Sequence, residues 1–295
     1  MPSSNAPAAP AYRVPFRLGL LAPRHWPAWG ALGGLAILGL LPRGLLRPLA
    51  SSLGEFAHWL APKQRRIART NLRLCFPAWS ERSRRRLLRR HFRLGAQCLL
   101  DLGLLWLGGR RRLQRLVKIE GAEALHNLPN PAQPTILLVP HSLALEHGAL
   151  ALTALAPGVG LVRPMRNPVV EWVNHRMRTR YQARLFTREQ GLRPIVRAIQ
   201  DGAFFYYLPD QDRGTKHSVF APFFAEPKAT LPTLGRLARL TGARVLPTVC
   251  HYQARQDHYR VVVGPPLHDF PSAGPQRDAE RMNRELEEMI RPDPR

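Results

Sequence analysis

Acidic side chains are scarce in this chain. It carries 20 against 44 basic ones over 295 residues, a formal net charge of +24. Lysine is scarcer still: Lys63, Lys118, Lys216 and Lys228 are the only ones, so nearly all the positive charge is arginine. An excess of this size implies an anionic partner, whether nucleic acid, a membrane surface or a phosphorylated or acidic substrate. Guanidinium groups suit phosphate because they grip it in a planar, two-pronged way. There are three cysteines, Cys75, Cys98 and Cys250, with no C-x-x-C spacing. The odd count and the spacing exclude a disulfide framework and a structural zinc site, and leave the cysteines as small apolar residues. No internal repeat appears. No G-x-S-x-G elbow marks a serine nucleophile. Nucleic acid is disfavoured as the partner, since no fold signature for it appears and the aromatics are not interleaved as stacking platforms.

The uncharged apolar run Trp26–Leu41 is also short, below the roughly 20 residues of a spanning helix. Arg17 and Arg24 precede it and Arg43 and Arg47 follow. Arginines at both ends can snorkel to headgroups and extend a short span. Trp26 and Trp29 suit an interface, and Gly30, Gly33 and Gly34 suit close approach of another helix. A spanning helix and a monotopic anchor lying in the interface are both permitted. A cleaved signal peptide is disfavoured by the late start and the lack of a small-x-small site. Residues 1–24 are thus expected to be a disordered, basic N-terminus and 25–60 a membrane-anchoring helical segment.

From Lys63 to Arg93 there are twelve basic residues and one acid, Glu81. Pro77 divides this run into two helices. In the second, Leu88, Phe92, Leu99, Leu102 and Trp106 recur at helical spacing. Its first turns carry Arg82, Arg84, Arg85, Arg86, Arg89 and Arg90, either as a solvated face or beside lipid phosphates at about 1 kcal/mol each. Residues 61–115 are therefore expected to be basic amphipathic helices. Beyond a soft boundary near 108–118, strands alternate with helices. Strands are predicted at 135–139, 159–163, 203–208, 244–249 and 259–263, and helices at 143–156, 168–181, 192–200, 230–241 and 278–290. The alternation predicts an α/β fold over 116–295, a mixed, largely parallel sheet flanked by helices.

The segment V-P-H-S-L-A-L-E-H-G at 139–148 carries the chemistry. An apolar strand ends at Pro140, His141 follows, and Glu146 sits five residues on, where a helix begins. A carboxylate in the next helical turn can take one ring proton of the histidine and leave the other nitrogen to accept a proton from a hydroxyl. The bland alternative is a capping histidine beside a solvated glutamate. His147 is expected to be structural or at the rim.

Further blocks accumulate around this pair. They are N-L-R-L-C-F-P at 71–77, R-P-M-R-N-P at 163–168 followed by Glu171-Trp172, Y-Y-L-P-D-Q-D-R-G at 206–214, H-S-V-F-A-P-F-F-A at 217–225 and K-A-T-L-P at 228–232. Together with His-x4-Glu they resemble the lipid A biosynthesis late acyltransferases, the lauroyl and myristoyl transferases, over roughly residues 20 to 291. Glu146 is as in the lauroyl branch, whereas K-A-T-L-P resembles the myristoyl branch. Family members usually continue with a Pro-Glu-Gln-Tyr-x-Trp segment and an arginine-rich tail, where this chain reads R-P-D-P-R.

The resemblance implies transfer of a fatty acyl group from acyl carrier protein onto a hydroxyl of a 3-hydroxyacyl chain of a lipid A precursor, on the cytoplasmic side of the bacterial inner membrane, among anionic lipids. It implies no cofactor and no metal. On this reading His141 is the general base and Glu146 holds its ring. Arg163 stabilises charge on the thioester oxygen or grips a substrate phosphate, with Arg166 as a weaker candidate of the same type. Asp210 anchors a loop or a catalytic arginine. Asp212 orients arginines or bonds a sugar, and Arg213 and Lys216 face acceptor phosphates. The alternative for that stretch is a turn with exposed charges. Phe220, Phe223 and Phe224 are expected in the core or along an acyl channel. Two rival functions remain open here: an acyltransferase of the same superfamily with another acceptor, such as a lysophospholipid, an ornithine lipid or an aryl polyene, and a non-catalytic basic membrane- or nucleic-acid-binding protein.

Overall fold

The computed structural model describes residues 10–294 except 127, 129, 131 and 213. Four helices lead: α1 Trp26–Leu38, α2 Arg43–Leu60, α3 Pro62–Cys75 and α4 Glu81–Leu107. The α/β part follows as α5 Arg110–Leu116, β1 Val117–Glu120, β2 Thr135–Leu138, α6 Leu145–Leu155, β3 Gly158–Val162, α7 Pro168–Arg178, β4 Ala183–Thr187, α8 Arg193–Gln200, β5 Phe204–Tyr207, a hairpin of β6 Val219–Phe223 and β7 Glu226–Thr230, α9 Thr233–Thr241, β8 Arg244–Gln253, β9 His258–Val263 and α10 Pro275–Ile290. The seven-stranded sheet has the order β1-β9-β8-β2-β5-β3-β4. Every pairing in it is parallel except β8 with β9. The expected mixed, largely parallel sheet is thus present.

Helices cover both faces, which is why β2 reads as an unbroken apolar run rather than an alternation. Ile136 and Leu138 face one core, with Ile195, Ile199, Leu234, Leu237 and Met282. Leu137 and Val139 face the other, with Leu94, Cys98, Leu105, Leu150 and Tyr259. The second core joins α4 to the sheet, so the N-terminal helices are part of the same packed body as the strands.

Several expectations for the N-terminal third are corrected. Helix α1 spans 13 residues, about 20 Å at 1.5 Å per residue. A hydrocarbon layer of roughly 30 Å needs more, and among the described residues no helix is long and apolar enough to cross a membrane. Arg43 does not reach for headgroups. It binds Asp101 of α4 and, at 2.9 Å and 2.5 Å, the carboxylate of Asp257 in the β8–β9 turn. Arg47 donates to the Ala254 carbonyl. Close helix approach occurs not at Gly30, Gly33 or Gly34, which have open space, but at other glycines. A Cβ on Gly54 would meet the Arg93 backbone at 2.4 Å, and one on Gly103 would meet the Leu35 carbonyl at 2.4 Å. These contacts need glycine to bring α2 and α1 against α4. The stretch from residue 10 to 24 is ordered: Tyr12 N–H donates to the Leu185 carbonyl at the sheet edge, and the Tyr12 hydroxyl donates to Glu171. Trp29, expected at a membrane interface, packs on Trp172 and donates to the Leu20 carbonyl at 2.8 Å. Residues 1–9, also expected to be disordered, lie outside the described residues.

His147 on α6 is fully buried and stacks on Tyr259, with ring centroids 3.9 Å apart and 13° between planes. Neither ring nitrogen has a hydrogen-bond partner among the described residues. Burial first, and then the charge of Arg43, lower its pKa to about 3 from 6.5. The unfolded chain therefore binds a proton at this ring below pH 6.5, and the folded protein does so only near pH 3. Its contribution to stability is complete above the unfolded value and is lost as pH falls through that window, at about 1.4 kcal/mol per unit. Urea unfolding at pH 7 and pH 5 should show His147→Leu losing about 2 kcal/mol less than the native sequence over that interval. Equal losses would show that His147 is not the sensor.

Candidate active site

Strands β2 and β5 are parallel neighbours, with Leu138 opposite Tyr207. Ligand sites in such sheets lie beyond the carboxyl ends of the strands. Both strands continue into the same pattern, Val139-Pro140-His141 and Leu208-Pro209-Asp210. The register carries on past the ladder: Val139 N–H donates to the Tyr207 carbonyl at 2.9 Å, and His141 N–H donates to Asp210 Oδ2 at 2.8 Å. The prolines remove backbone donors and hold both segments extended. His141 and Asp210 thus arrive side by side, and His141 Nδ1 bonds Asp210 Oδ1 directly.

Burial pushes the Asp210 carboxyl up, but the ring and backbone N–H of His141 outweigh it and leave it below its ordinary value. An ionised Asp210 accepts the Nδ1 proton, so Nε2 keeps its lone pair. The Gln211 amide lies 3.1 Å from Nε2 and can donate to it. In this tautomer Nε2 can take a proton from a hydroxyl that displaces the amide, and Asp210 stabilises the cation formed. Lys228 Nζ donates to the Asp210 carbonyl at 2.6 Å and sits 4.6 Å from the Phe223 ring centroid, bracing the loop from below.

Glu146 does not hold His141. It lies in the first turn of α6 and forms a two-pronged ion pair with Arg178 in the last turn of α7, the Nε–Oε2 distance being 3.0 Å. Each charge sits at the helix end that favours it. Closeness in sequence misleads here, because the turn after His141 directs Glu146 toward α7, while the adjacent strand supplies the acid. His147 is structural, as expected, but buried rather than at the rim.

The expected anion-binding residues lie elsewhere. Arg163 and Arg166 lie beyond β3, which β5 separates from β2. Neither lines the cavity beside His141. Their block is occupied in capping its own helix. Asn167 caps α7, accepting from Val169 N–H at 3.0 Å, and Glu171 accepts from Met165 N–H at 2.7 Å. Asp212 closes its own turn by accepting from Gly214 N–H, and Lys216 is exposed. Arg213 lies outside the described residues.

His141, Ser142 and Asp210 border a cavity of about 270 Å³. Most of its wall is apolar, from Leu72, Cys75 and Phe76 of the 71–77 block, Leu87 and Leu88 of α4, Phe223 and Phe224 of the hairpin, and Met289 and Ile290 of α10. The division expected near residues 108–118 therefore does not hold at the site, which takes walls from both sides of it. Phe223 and Phe224 line the cavity; Phe220, expected with them, is 58% exposed. Phe224 has φ +57°, a costly conformation for a bulky residue. Glu287 accepts its N–H at 2.7 Å, and the Phe76 ring lies edge-on at 5.1 Å, holding the aromatic in the wall. Burial first, then the charge of Glu287, keep the Cys75 thiol above its ordinary pKa, so it is a poor nucleophile. His91 of α4, missed in sequence, is a further polar group on the wall, its imidazole pushed below its ordinary value by burial.

The site is thus a histidine with an oriented proton acceptor, at the mouth of a narrow cavity whose apolar wall comes from the 71–77 block, α4, the hairpin and α10. Residues 13–295 match the model of the bacterial lipid A biosynthesis acyltransferases. The chain belongs to this family. It is an acyltransferase of lipid A biosynthesis. It is 33% identical over 292 residues to the lipid A biosynthesis myristoyltransferase of Escherichia coli, covering 99% of this chain and 89% of that one. It is 31% identical to the lauroyltransferase of the same organism, covering 93% and 90%. It is 32% identical over 284 residues to a lipid A biosynthesis acyltransferase of Haemophilus influenzae, covering 96% and 89%. The near-equal identities to the myristoyl and lauroyl enzymes do not choose a branch. Among solved structures, it is similar to the 1-acyl-sn-glycerophosphate acyltransferase of Thermotoga maritima, at 19% identity and a TM-score of 0.40, covering 85% of this chain and 97% of that one.

Proposed function

We propose that this acyltransferase moves a fatty acyl group from acyl carrier protein onto a hydroxyl of a 3-hydroxyacyl chain of a lipid A precursor, with His141 as general base. The observation that carries this reading is the pairing of His141 Nδ1 with Asp210 at the mouth of the apolar cavity. A secondary alcohol is a weak nucleophile at neutral pH and needs a positioned base while it attacks the thioester carbonyl. His141 Nε2 takes the hydroxyl proton as the new ester bond forms. The thioester C–S bond breaks, and the thiolate leaves with that proton returned by the imidazolium. Transfer is direct on this reading, and the burial that disfavours the Cys75 thiolate, the form that would take up the acyl group, supports it.

The reaction takes place at the cytoplasmic surface of the bacterial inner membrane. Exposed apolar side chains along α2 and α3 support contact with lipid: Leu45 (60%), Phe56 (57%), Trp59 (70%), Leu60 (61%) and Ile67 (51%). With the surrounding arginines they suit a helix pair lying in the interface beside anionic lipids rather than one crossing it. The test is mass spectrometry of products formed by the purified protein from a lipid A precursor and acylated carrier protein. A product heavier by one acyl chain supports the reading. Acylation of a lysophospholipid or ornithine lipid, with none of the precursor, points to another acceptor.

A further inference from the structure

A second and larger concavity, about 1480 Å³, adjoins the His141 cavity and shares Leu87, Val249, His251, Met289, Asp293 and Pro294 with it. Its floor is the β8–β9 ribbon, and its walls are α4, α10 and, through Arg47, Ala50 and Ser51, α2. It far exceeds what an acyl chain in the narrow cavity needs, so the two spaces suit different parts of one amphipathic substrate: a thin apolar tail and a bulky polar head.

The charges on its α4 wall are unevenly matched. Glu55 pairs with Arg89 and Arg93, and Glu81 with Arg69, Arg73, Arg84 and Arg85. Arg86 and Arg90 line the groove, are exposed, and have no carboxylate partner among the described residues. They stand one turn apart on one face of α4, where like charges repel. On the opposite wall Arg281 is already held by Glu285 at 2.7 Å. Two adjacent unpaired guanidiniums in a concave site that adjoins the cavity of His141 are suited to a group with several anionic oxygens.

Resting on the acceptor reading above, we propose that Arg86 and Arg90 grip a phosphate monoester on the head of the acceptor lipid, seating that head in the α4–α10 groove while an acyl hydroxyl reaches His141. This places phosphate recognition on α4 rather than on the 163–166 or 213–216 stretches.

The experiment compares the full chain with R86Q/R90Q, using a phosphorylated precursor and the same precursor after phosphatase treatment, both in neutral detergent micelles. Expected is a rise in KM for the phosphorylated acceptor of roughly 10–100-fold in the double variant, from lost charge-assisted bonds, with the rate at saturation close to that of the native sequence. The native protein should discriminate between the two acceptors and the variant should not; R86K/R90K should regain part of the affinity. Thermal melting of both variants checks the fold. Continued discrimination by R86Q/R90Q overturns the proposal. So does a change confined to KM for the acyl carrier protein, or to adhesion to anionic vesicles. Calorimetric titration of the precursor into H141A protein, with and without the arginine changes, decides the matter even if no transfer is seen. Failure of transfer with native protein counts against the proposed function alone.

Discussion

His141→Ala is expected to lower acyl transfer by a factor of about 10²–10⁴ while melting temperature and acceptor binding stay near their native values. The ring is 32% exposed just beyond the end of β2, so its removal leaves no closed cavity in the core. Its hydrogen bonds are to Asp210, which keeps the bond from the backbone N–H of residue 141 when the ring is gone, and to Gln211, which is exposed. What is lost is the lone pair that takes the hydroxyl proton. His91 and His251 line the same cavity, but His91 is held neutral by burial and has no carboxylate behind it among the described residues, and the carboxylate nearest His251 Nδ1, Asp293, is 4.0 Å away, beyond hydrogen-bond reach. Steady-state rates from purified protein, beside a melting curve, separate loss of chemistry from loss of fold. Retention of more than about a tenth of the native rate would remove His141 as the base.

Arg43→Met is expected to have the largest effect on stability, about 3 kcal/mol or more, read as a shift of the urea midpoint. Asp101 is completely buried and accepts from Arg43, from Gln97 at 3.0 Å and from the Tyr259 hydroxyl at 2.7 Å. Burial pushes its carboxyl up, and Arg43 is the strongest influence holding it down. Without the guanidinium, Asp101 has only the Gln97 and Tyr259 bonds against its burial, and its protonated form is favoured. The same change leaves Asp257 with the Tyr252 hydroxyl and removes one of the two arginine ties between α2 and the β8–β9 turn, Arg47 keeping the other. Adding Asp101→Leu should recover much of the loss, since removing both charges costs less than stranding one. An unshifted midpoint in Arg43→Met would show that the junction rests on apolar contacts alone.

How much of this was legible in the sequence depends on whether the cue was local. The strands and helices after residue 116 are, because apolar runs such as Ile136–Val139 and capped helices such as Pro168–Arg178 carry their own signals. Strands β1 and β4 are interrupted by charges, Lys118 and Glu120 in one and Arg184 in the other, and the β6–β7 hairpin hides behind Pro222 and Pro227. His141 stands out through the pattern after its strand. Its partner does not, because β3 and β4 lie between β2 and β5 in the chain while β5 lies beside β2 in the sheet. The repeated apolar-Pro-polar ending of those two strands was the available clue, and Glu146, nearer in sequence, competed with it. Arg43 looked like a headgroup anchor because no local pattern reveals that Asp101 and Asp257 await it, 58 and 214 residues away. Trp29 and the stretch after residue 10 were misread for the same reason: their partners, Trp172, Glu171 and Leu185, come from distant segments.

Asp210 and Glu146 offer rival acids for one imidazole, and their replacement separates them. In Asp210→Asn the carboxylate that fixes the ring tautomer is gone, and transfer should fall by about 10²-fold or more with the fold intact. In the paired change Glu146→Leu/Arg178→Leu an ion pair between α6 and α7 becomes an apolar contact, which is commonly tolerated, and most of the native rate should remain. A double variant that has lost transfer, together with a near-native Asp210→Asn, would contradict the assignment of Asp210 as the group that holds His141.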